Sequence, residues 1–575
     1  MISKISGPQI ETNYNNLSEC FDNAVMTYGD KGAISYNDKI YSFNDIERNI
    51  NKIARYLLEN GVKDNDVIGI FMKKNELFIE TILAVLKVGG ICLVLDSSIN
   101  SERIEEIINE NSVNIVICNE NDVYLESDNV KILVIQDEKI KKLNNMLSFP
   151  KKNREDVAFI FYSSGTNGKP KRIFVSHGNV LNDTCFETAQ PKLKSDDVFL
   201  LTSPKLSLRL TGEIFYPLFA GAKIVILEEK YSKNIDYIVE SIMYNNVTVM
   251  FAVPTLLKEL LSHSQINECR SIRMVQSLGE MLEKNVILKF GKMLNAELYN
   301  VYGQTEIGMC TVHQIDTKKT NTVYCGKAVP NREVYIIDEC HRILDREYEG
   351  DIFVSGNYLN YDESNQENYC IIEGKKAFST GDRGIIDIEG NLIYCGRNDN
   401  IIKLRGMKVN LNEIENICLE FYNVKNAVAV EYKSGNVQCI VIAVVFYDKK
   451  NHVRKEELFE YLHKEMPDYM MPSRIIELDD VLIGITGKEN RQLVQEYVNK
   501  EFEINKSIKL DEITKLIADV LGITQNRVDA SKTLMEIGIN SIQFIEVLVE
   551  LERILGKDLQ IEILKQTKIG RICEI

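Results

Sequence analysis

The chain has 575 residues, too many for one hydrophobic core, so three or four domains are expected. Hydrophobic residues make up 45% and charged residues 26%, the balance of an ordinary soluble globular protein. The formal net charge of −16 excludes a general surface for nucleic acid or anionic membrane.

No apolar run is long enough for a membrane-spanning helix, and Met1 to Gly7 lacks the core of a signal peptide. The 13 cysteines are scattered without CxxC pairs or a histidine partner. That pattern reads as reduced, mostly buried thiols, with neither a zinc site nor a disulfide framework, and a cytoplasmic location is expected.

In chain order, residues 18–60 read as helix, hairpin and helix. The second helix carries Ile46, Ile50, Ile53, Leu57 and Leu58 at helical spacing and stops at Gly61. A buried strand Val67 to Phe71, an apolar helix Glu76 to Lys87 and a strand Ile91 to Leu95 follow, the alternation of α/β layers. The run Val157 to Phe161 reads as another buried strand ending in a turn.

Beyond it, Tyr162-Ser163-Ser164-Gly165-Thr166-Asn167-Gly168-Lys169-Pro170-Lys171 alternates hydroxyls, glycines and lysines with almost no bulk. Glycines let backbone approach a ligand, and free N–H groups, hydroxyls and lysines bind anions. This is the chemistry of a loop closing over a polyphosphate, against the plainer alternative of a solvated surface loop. It is not a Walker A loop, because Lys169 is followed by Pro170 and the glycine spacing differs.

The ten residues resemble the phosphate-binding core motif of the adenylate-forming superfamily: acyl-CoA synthetases, luciferases and nonribosomal peptide synthetase adenylation domains. Asn167 replaces the usual second Thr, and Arg172 the last Gly, adding charge and stiffness. Further resemblances appear in the family's order across nearly the whole chain. The segment from Leu86 to Asp96 resembles a scaffold motif. Asn300-Val301-Tyr302-Gly303-Gln304-Thr305-Glu306 resembles Asn-x-Tyr-Gly-Pro-Thr-Glu, with Gln304 for Pro. Glu349 to Gly356 matches another core motif, and Thr380-Gly381-Asp382 the ribose motif. Gly396-Arg397-Asn398-Asp399 opens the hinge motif, and Gly487-Lys488 belongs to the last. Read alone, Thr305-Glu306 is a helix N-cap with an acidic first turn, and Asp382 an Asx turn.

The resemblance implies ATP or AMP contacts at Ser163, Ser164, Gly165, Thr166, Asn167, Gly168, Lys169, Lys171, Gly279, Asn300, Tyr302, Gly303, Thr305, Asp382, Arg397 and Lys488. It makes Lys488, Thr166, Thr305 and Glu306 catalytic, Glu306 through Mg²⁺ held by hard oxygen ligands. Asp399 becomes the pivot of a small mobile domain, and Lys488 a transient point charge on carboxylate and α-phosphate.

Leu534 to Ile542, ending in Gly538-Ile539-Asn540-Ser541-Ile542, resembles the carrier-protein motif. The resemblance makes Ser541 the site of a 4′-phosphopantetheine arm, and Ser541 is expected to cap its helix as well. Ile545, Leu548, Leu551 and Leu555 are expected to face that helix's core.

The expected fold is thus an α/β N-terminal adenylation core (1–396), a small mobile α+β subdomain (397–500), a polar connector (501–507) and an all-α carrier bundle (508–575). The implied activity is ATP-dependent activation of a carboxylic acid as acyl-AMP, then self-loading as a thioester on the carrier arm, in a loading module of nonribosomal peptide-type biosynthesis. Implied partners are the acid, a phosphopantetheinyl transferase and a downstream condensing or tailoring enzyme, with no nucleic acid and no membrane.

Amino-acid-activating relatives place an Asp where counting back from Glu213 lands on Leu208, or on Ser207 with one residue's slip. No acid occurs in Lys205 to Thr211. A buried unpaired ammonium costs several kcal/mol, so an aryl or other acid lacking an α-amine is expected. The same counting lines the pocket with Leu208, Arg209, Gly212, Phe251, Gln276, Leu278, Val301, Met309 and Cys310. Gly212 leaves space, Gln276 suits a polar tip such as a phenol, and Arg209 either points away or meets a second carboxylate. An unusual amino acid is the runner-up. A plain acyl-CoA or acyl-carrier ligase needs no fused Ser541, and an inert scaffold needs no Lys488, Asp382 or Glu306.

Overall fold

The computed structural model describes residues 1–96, 101–119, 130–135, 149–163, 171–185, 189–318, 322–360, 368–404, 407–434, 437–447, 454–467, 470–480, 491–555 and 561–574. It divides into two compact units, the break falling between Asp399 and Asn400.

In the first unit, a six-stranded sheet is parallel through Ile115–Asn119, Val67–Phe71, Ile91–Val94 and Val157–Ser163. Lys171–Ser176 closes it antiparallel, with Tyr162 opposite Arg172. The apolar run 158–161 is buried as its pattern predicts.

Among the described residues a fifteen-stranded sheet carries the parallel strands Val198–Leu201, Val249–Ala252, Met274–Leu278 and Glu297–Gln304. Gly308–Ile315, Tyr324–Ala328, Lys375–Ile386 and Leu392–Arg397 continue it in antiparallel pairings. The helices Leu17–Tyr28, Phe43–Glu59, Glu76–Lys87 and Arg209–Ala220 contribute to one apolar core with the six-stranded sheet. The helix Phe43–Glu59 starts with a capping box, Ser42 exchanging hydrogen bonds with Asp45, and ends where Gly61 takes φ +93°.

The second unit holds a hairpin, Ile401–Leu404 with Met407–Asn410. A three-stranded sheet follows, Val424–Ser434, Val437–Phe446 and Arg474–Glu477, with helix Leu411–Glu420 on one face. The helix Arg491–Leu521 serves two cores. Val494 and Val498 pack under the sheet, whereas Ile513 and Ile517 join the cluster of the terminal helices. The 501–507 connector is therefore helical, a continuation of the element that precedes it.

Two expectations about the terminal bundle are corrected. Asn540, not Ser541, caps the helix Ser541–Leu555: its side chain accepts from Gln543 N at 3.0 Å, while Gln543 Oε1 accepts from Asn540 N at 3.1 Å. Ser541 is the first helical residue. The buried stripe is Phe544, Val547 and Leu551 with Leu548 packed at its edge, so Leu551 and Leu548 face the core as expected while Ile545 is 63% exposed.

Candidate active site

The motif residues after Leu298 come together because strands Glu297–Gln304, Lys375–Ile386 and Leu392–Arg397 belong to one large sheet. Thr305 and Glu306 sit in the hairpin turn between Glu297–Gln304 and Gly308–Ile315, not at a helix start. Gly303 is required there, since a Cβ would lie 2.3 Å from Gly308 O. Gly279, with φ +90°, follows the strand Met274–Leu278.

Asp382 lies inside the strand Lys375–Ile386, so it is no Asx turn. Its carboxylate is 3% exposed and accepts from Tyr302 Oη at 2.7 Å, Gln304 Nε2 at 2.6 Å and Arg397 Nη1 at 3.3 Å. Burial, and then the Asp382 charge, push the Tyr302 phenol far above its ordinary range, so it stays a donor. Gln304, standing where the motif has Pro, also donates to Thr380 O at 3.0 Å. Asn300 donates to Tyr324 O at 2.8 Å, and Asn360 holds Thr305 O at 2.6 Å. Glu306 accepts no hydrogen bond from the described residues.

Ser164, Gly165, Thr166, Asn167, Gly168, Lys169 and Lys488 lie outside the described residues. The stems of the phosphate-loop motif are within them. Ser163 ends one strand opposite Lys171 of the next. One residue back, both strands are tied to the end of the helix Ser101–Glu110. Tyr162 Oη donates to Glu110 Oε2 at 2.9 Å and accepts from Asn111 Nδ2 at 2.7 Å, while Arg172 Nη1 donates to Glu110 O at 2.9 Å. Arg172, the departure from the motif, is thus a tether to carbonyls at a helix end. Asp399 lies in the turn Asn398–Asn400, and Ser541 opens its helix.

The acid-pocket residues divide between two surroundings. Phe251, Gln276 and Tyr299 are opposite one another across three strands, with Leu278 and Val301 paired in the next row. Phe251 packs edge-on to Phe199, ring centroids 5.0 Å apart, and 6.4 Å from Tyr216. Gly212 does not leave empty space: a Cβ there would stand 3.1 Å from Phe251 Cε2, so the ring lies over the glycine. Met309 is opposite Gly303, its N–H held by Asp183 at 2.9 Å.

Cys310 instead packs with Tyr302, Ile307 and Cys325. Burial raises both thiols well above their ordinary range, Cys325 to about 12. Leu208 packs against the large apolar core of the first unit. Arg209 donates to Ser207 Oγ at 3.2 Å and pairs with no carboxylate among the described residues. Glu213, fully buried, accepts from Thr202 N, Thr202 Oγ1 and Ser203 N at 2.7–3.0 Å.

Sequence reasoning missed Asp183, Tyr216 and the Glu110–Asn111 anchor. Tyr216 alone left a signal, standing four residues after Gly212 on the same helix.

A buried carboxylate at a sheet corner, accepting three hydrogen bonds beside an aromatic hydroxyl, is suited to a polyhydroxyl ligand such as the ribose of a nucleotide. The AMP-binding enzyme family matches residues 21–360, more than half of the chain, and the chain belongs to that family. A phosphopantetheine attachment site matches residues 511–575.

Zwittermicin A synthase ZmaJ from Bacillus cereus is 26% identical over 502 residues, 83% of this chain and 94% of that protein. The chain spans half or less of the other synthetases it matches, 12% of gramicidin S synthase 2 from Brevibacillus brevis for example. Among solved structures, NpsA of Klebsiella oxytoca in complex with 3-hydroxyanthranilyl-AMSN superposes with a TM-score of 0.75 at 18% identity, covering 84% of this chain and all of that one. A four-domain nonribosomal peptide synthetase bound to AMP and glycine gives 0.73 at 21% identity, covering 99% of this chain and 43% of that one. The protein is an adenylate-forming ligase of the nonribosomal peptide synthetase type, an adenylation fold followed by a carrier domain. Among the described residues no helix is long and apolar enough to cross a membrane.

Proposed function

We propose that the protein activates an aryl or other carboxylic acid lacking an α-amine, using ATP, and passes the acyl group to its own carrier domain. The observation that carries this reading is the surrounding of Leu208. At the place where relatives carry the Asp, an apolar side chain packs into an apolar core, the next residue is the cation Arg209, and the carboxylates of Glu213 and Glu280 face that cation. Glu213, the fully buried acid on the same helix, already accepts three hydrogen bonds. A buried ammonium without a partner costs several kcal/mol. The neighbours span both readings, one holding 3-hydroxyanthranilyl-AMSN and another AMP with glycine, so the reading rests on the local residues.

The residues fit a nucleotide. Asp382 can accept from ribose hydroxyls, which would replace the 3.3 Å contact with Arg397 first. Tyr302 and Gln304 hold the carboxylate in place for that role. Glu306 would hold Mg²⁺, whose charge offsets that of the phosphates. Thr305 in the hairpin turn and Lys488 would donate to the α-phosphate as the carboxylate attacks it in line and pyrophosphate leaves. The protein's share is positioning and charge stabilisation. A phosphopantetheine on Ser541 would supply the thiol that accepts the acyl group.

The test is ATP–pyrophosphate exchange against two pools, proteinogenic amino acids and acids without an α-amine. Exchange with the second pool alone supports the reading; exchange with an amino acid sinks it. Ser541→Ala is expected to abolish retention of labelled acid on the intact protein.

A further inference from the structure

The acid-pocket wall holds two polar side chains that the reaction does not use. Gln276 is fully buried in a strand whose neighbours on the same face, Met274 and Leu278, are apolar, and neither its amide oxygen nor its nitrogen has a hydrogen-bond partner. Tyr216 is 4% exposed, and its hydroxyl is equally without a partner. The Gln276 amide faces that hydroxyl closely enough to oppose the rise in its pKa that burial causes, yet the two form no well-aligned hydrogen bond. Buried amide and hydroxyl groups without partners each cost about 1–3 kcal/mol, and native interiors hold few of them. Two such residues face to face in an aromatic cluster point to a ligand that completes them.

The helix Arg209–Ala220 explains how they meet. Arg209, Gly212 and Tyr216 fall on one stripe, and Gly212 gives its place to the Phe251 ring. Phe251 lies between Phe199 and Tyr216 and directly opposite Gln276 on the next strand. Leu278 and Val301, paired in the row above, are two residues nearer the strand ends that carry Gly279 and Gly303. Two residues of strand span about 6.6 Å, the depth of one aromatic ring.

We propose that Tyr216 and Gln276 form a polar floor to the acid pocket, recognising a hydroxyl or amino substituent on an aryl carboxylic acid at the end remote from the reacting carboxylate. This rests on the reading of the acid given above. The amide offers a donor and an acceptor, and the phenol one of each, so a hydroxyl or an aniline nitrogen satisfies both residues at once. Tyr216 is a specificity residue here, with no part in the chemistry.

The experiment measures pyrophosphate exchange by the full chain with benzoate and its hydroxy and amino derivatives, and with phenylalanine against tyrosine. The wild type is expected to prefer the substituted member of its active pair by about 100-fold or more, because a polar floor left unpaired rejects the bare ring. Tyr216→Phe and Gln276→Leu are each expected to cut that ratio about tenfold. A ratio near one in the wild type, or a ratio unmoved in both variants, overturns the floor. Exchange confined to phenylalanine or tyrosine sinks the reading of the acid instead, and the ratio within that pair then decides the floor.

A second measurement needs no turnover. Gln276→Leu removes the unpaired amide, so the melting temperature of the substrate-free protein is expected to rise. A fall shows that the amide is bonded within the fold and overturns the proposal.

Discussion

The nucleotide corner and the acid corner share one sheet yet treat polar groups in opposite ways. Asp382 is surrounded by Tyr302, Gln304 and Arg397, its hydrogen bonds made before anything binds. Gln276 and Tyr216, as deeply buried, are left unmet. Electrostatic preorganisation lowers a barrier only if the charge is already fixed, whereas discrimination between acids comes from groups that the right acid alone can satisfy. On the proposed reading, the corner that performs a shared reaction is closed on itself, and the corner that selects is left open.

The largest expected effect lies outside both corners and calibrates them. His177 is fully buried, its Nδ1 accepting from Leu17 N and its Nε2 unpartnered. Burial, aided by the Lys152 charge and opposed by Asp156, lowers its pKa from 6.5 to about 4. Unfolded chains take up the proton below about 6.5 and the folded protein only near 4. Stability is therefore expected to fall as pH drops through that window, by up to about 3 kcal/mol, and to level off below it as far as this group is concerned. Thermal melts between pH 7 and pH 4 check this, and His177→Gln should remove most of the slope.

Within the nucleotide corner, Asp382→Asn keeps the shape and loses the charge facing Arg397. The expected loss is about 2 kcal/mol, roughly 30-fold in kcat/KM for ATP, with little change in the preference among acids. A change in acid preference would break the separation of the two corners. Gly212→Ala probes the other side. Its Cβ would press on Phe251, which the Phe199 ring backs, at a cost of about 1 kcal/mol. KM for the acid is expected to rise severalfold while KM for ATP holds, and movement of both would mean that the ring is scaffold for the whole sheet.

Much of the fold could be read from the chain because buried strands such as 157–161 and the helix ending at Gly61 carry period and punctuation. That Tyr302, Gln304, Asp382 and Arg397 would meet was readable because the motifs that carry them stand in the family's order. Context decided the rest. Ile545 has helical spacing, but the docking of the helix on Leu534 and Ile572 selected a stripe through Phe544 and Val547. Gly212 looked like a cavity because a sequence shows what a residue lacks and not the neighbour that fills the gap, here Phe251. Cys310 counts into the acid pocket, yet it is the extra residue of the bulge opposite Tyr302–Gly303 and packs with Tyr302. Arg172 read as a stiffening charge on the loop, while the structure ties it to the end of a helix, at Glu110, 62 residues earlier in the chain.

The buried cysteines bear on chemoselectivity. A mixed anhydride held for an incoming thiol can acylate any thiolate within reach, and an enzyme rich in cysteine risks stalling as its own dead-end product. Cys310 and Cys325 lie in the cluster beneath Tyr302, and Cys92, Cys269 and Cys418 are buried elsewhere. Burial holds all five above the ordinary thiol range. At about 12, the Cys325 thiol is ionised in only about one molecule in 10⁵ at neutral pH. Burial thus keeps these five thiols protonated and poor nucleophiles, which favours an incoming thiol over them as acceptor of the acyl group.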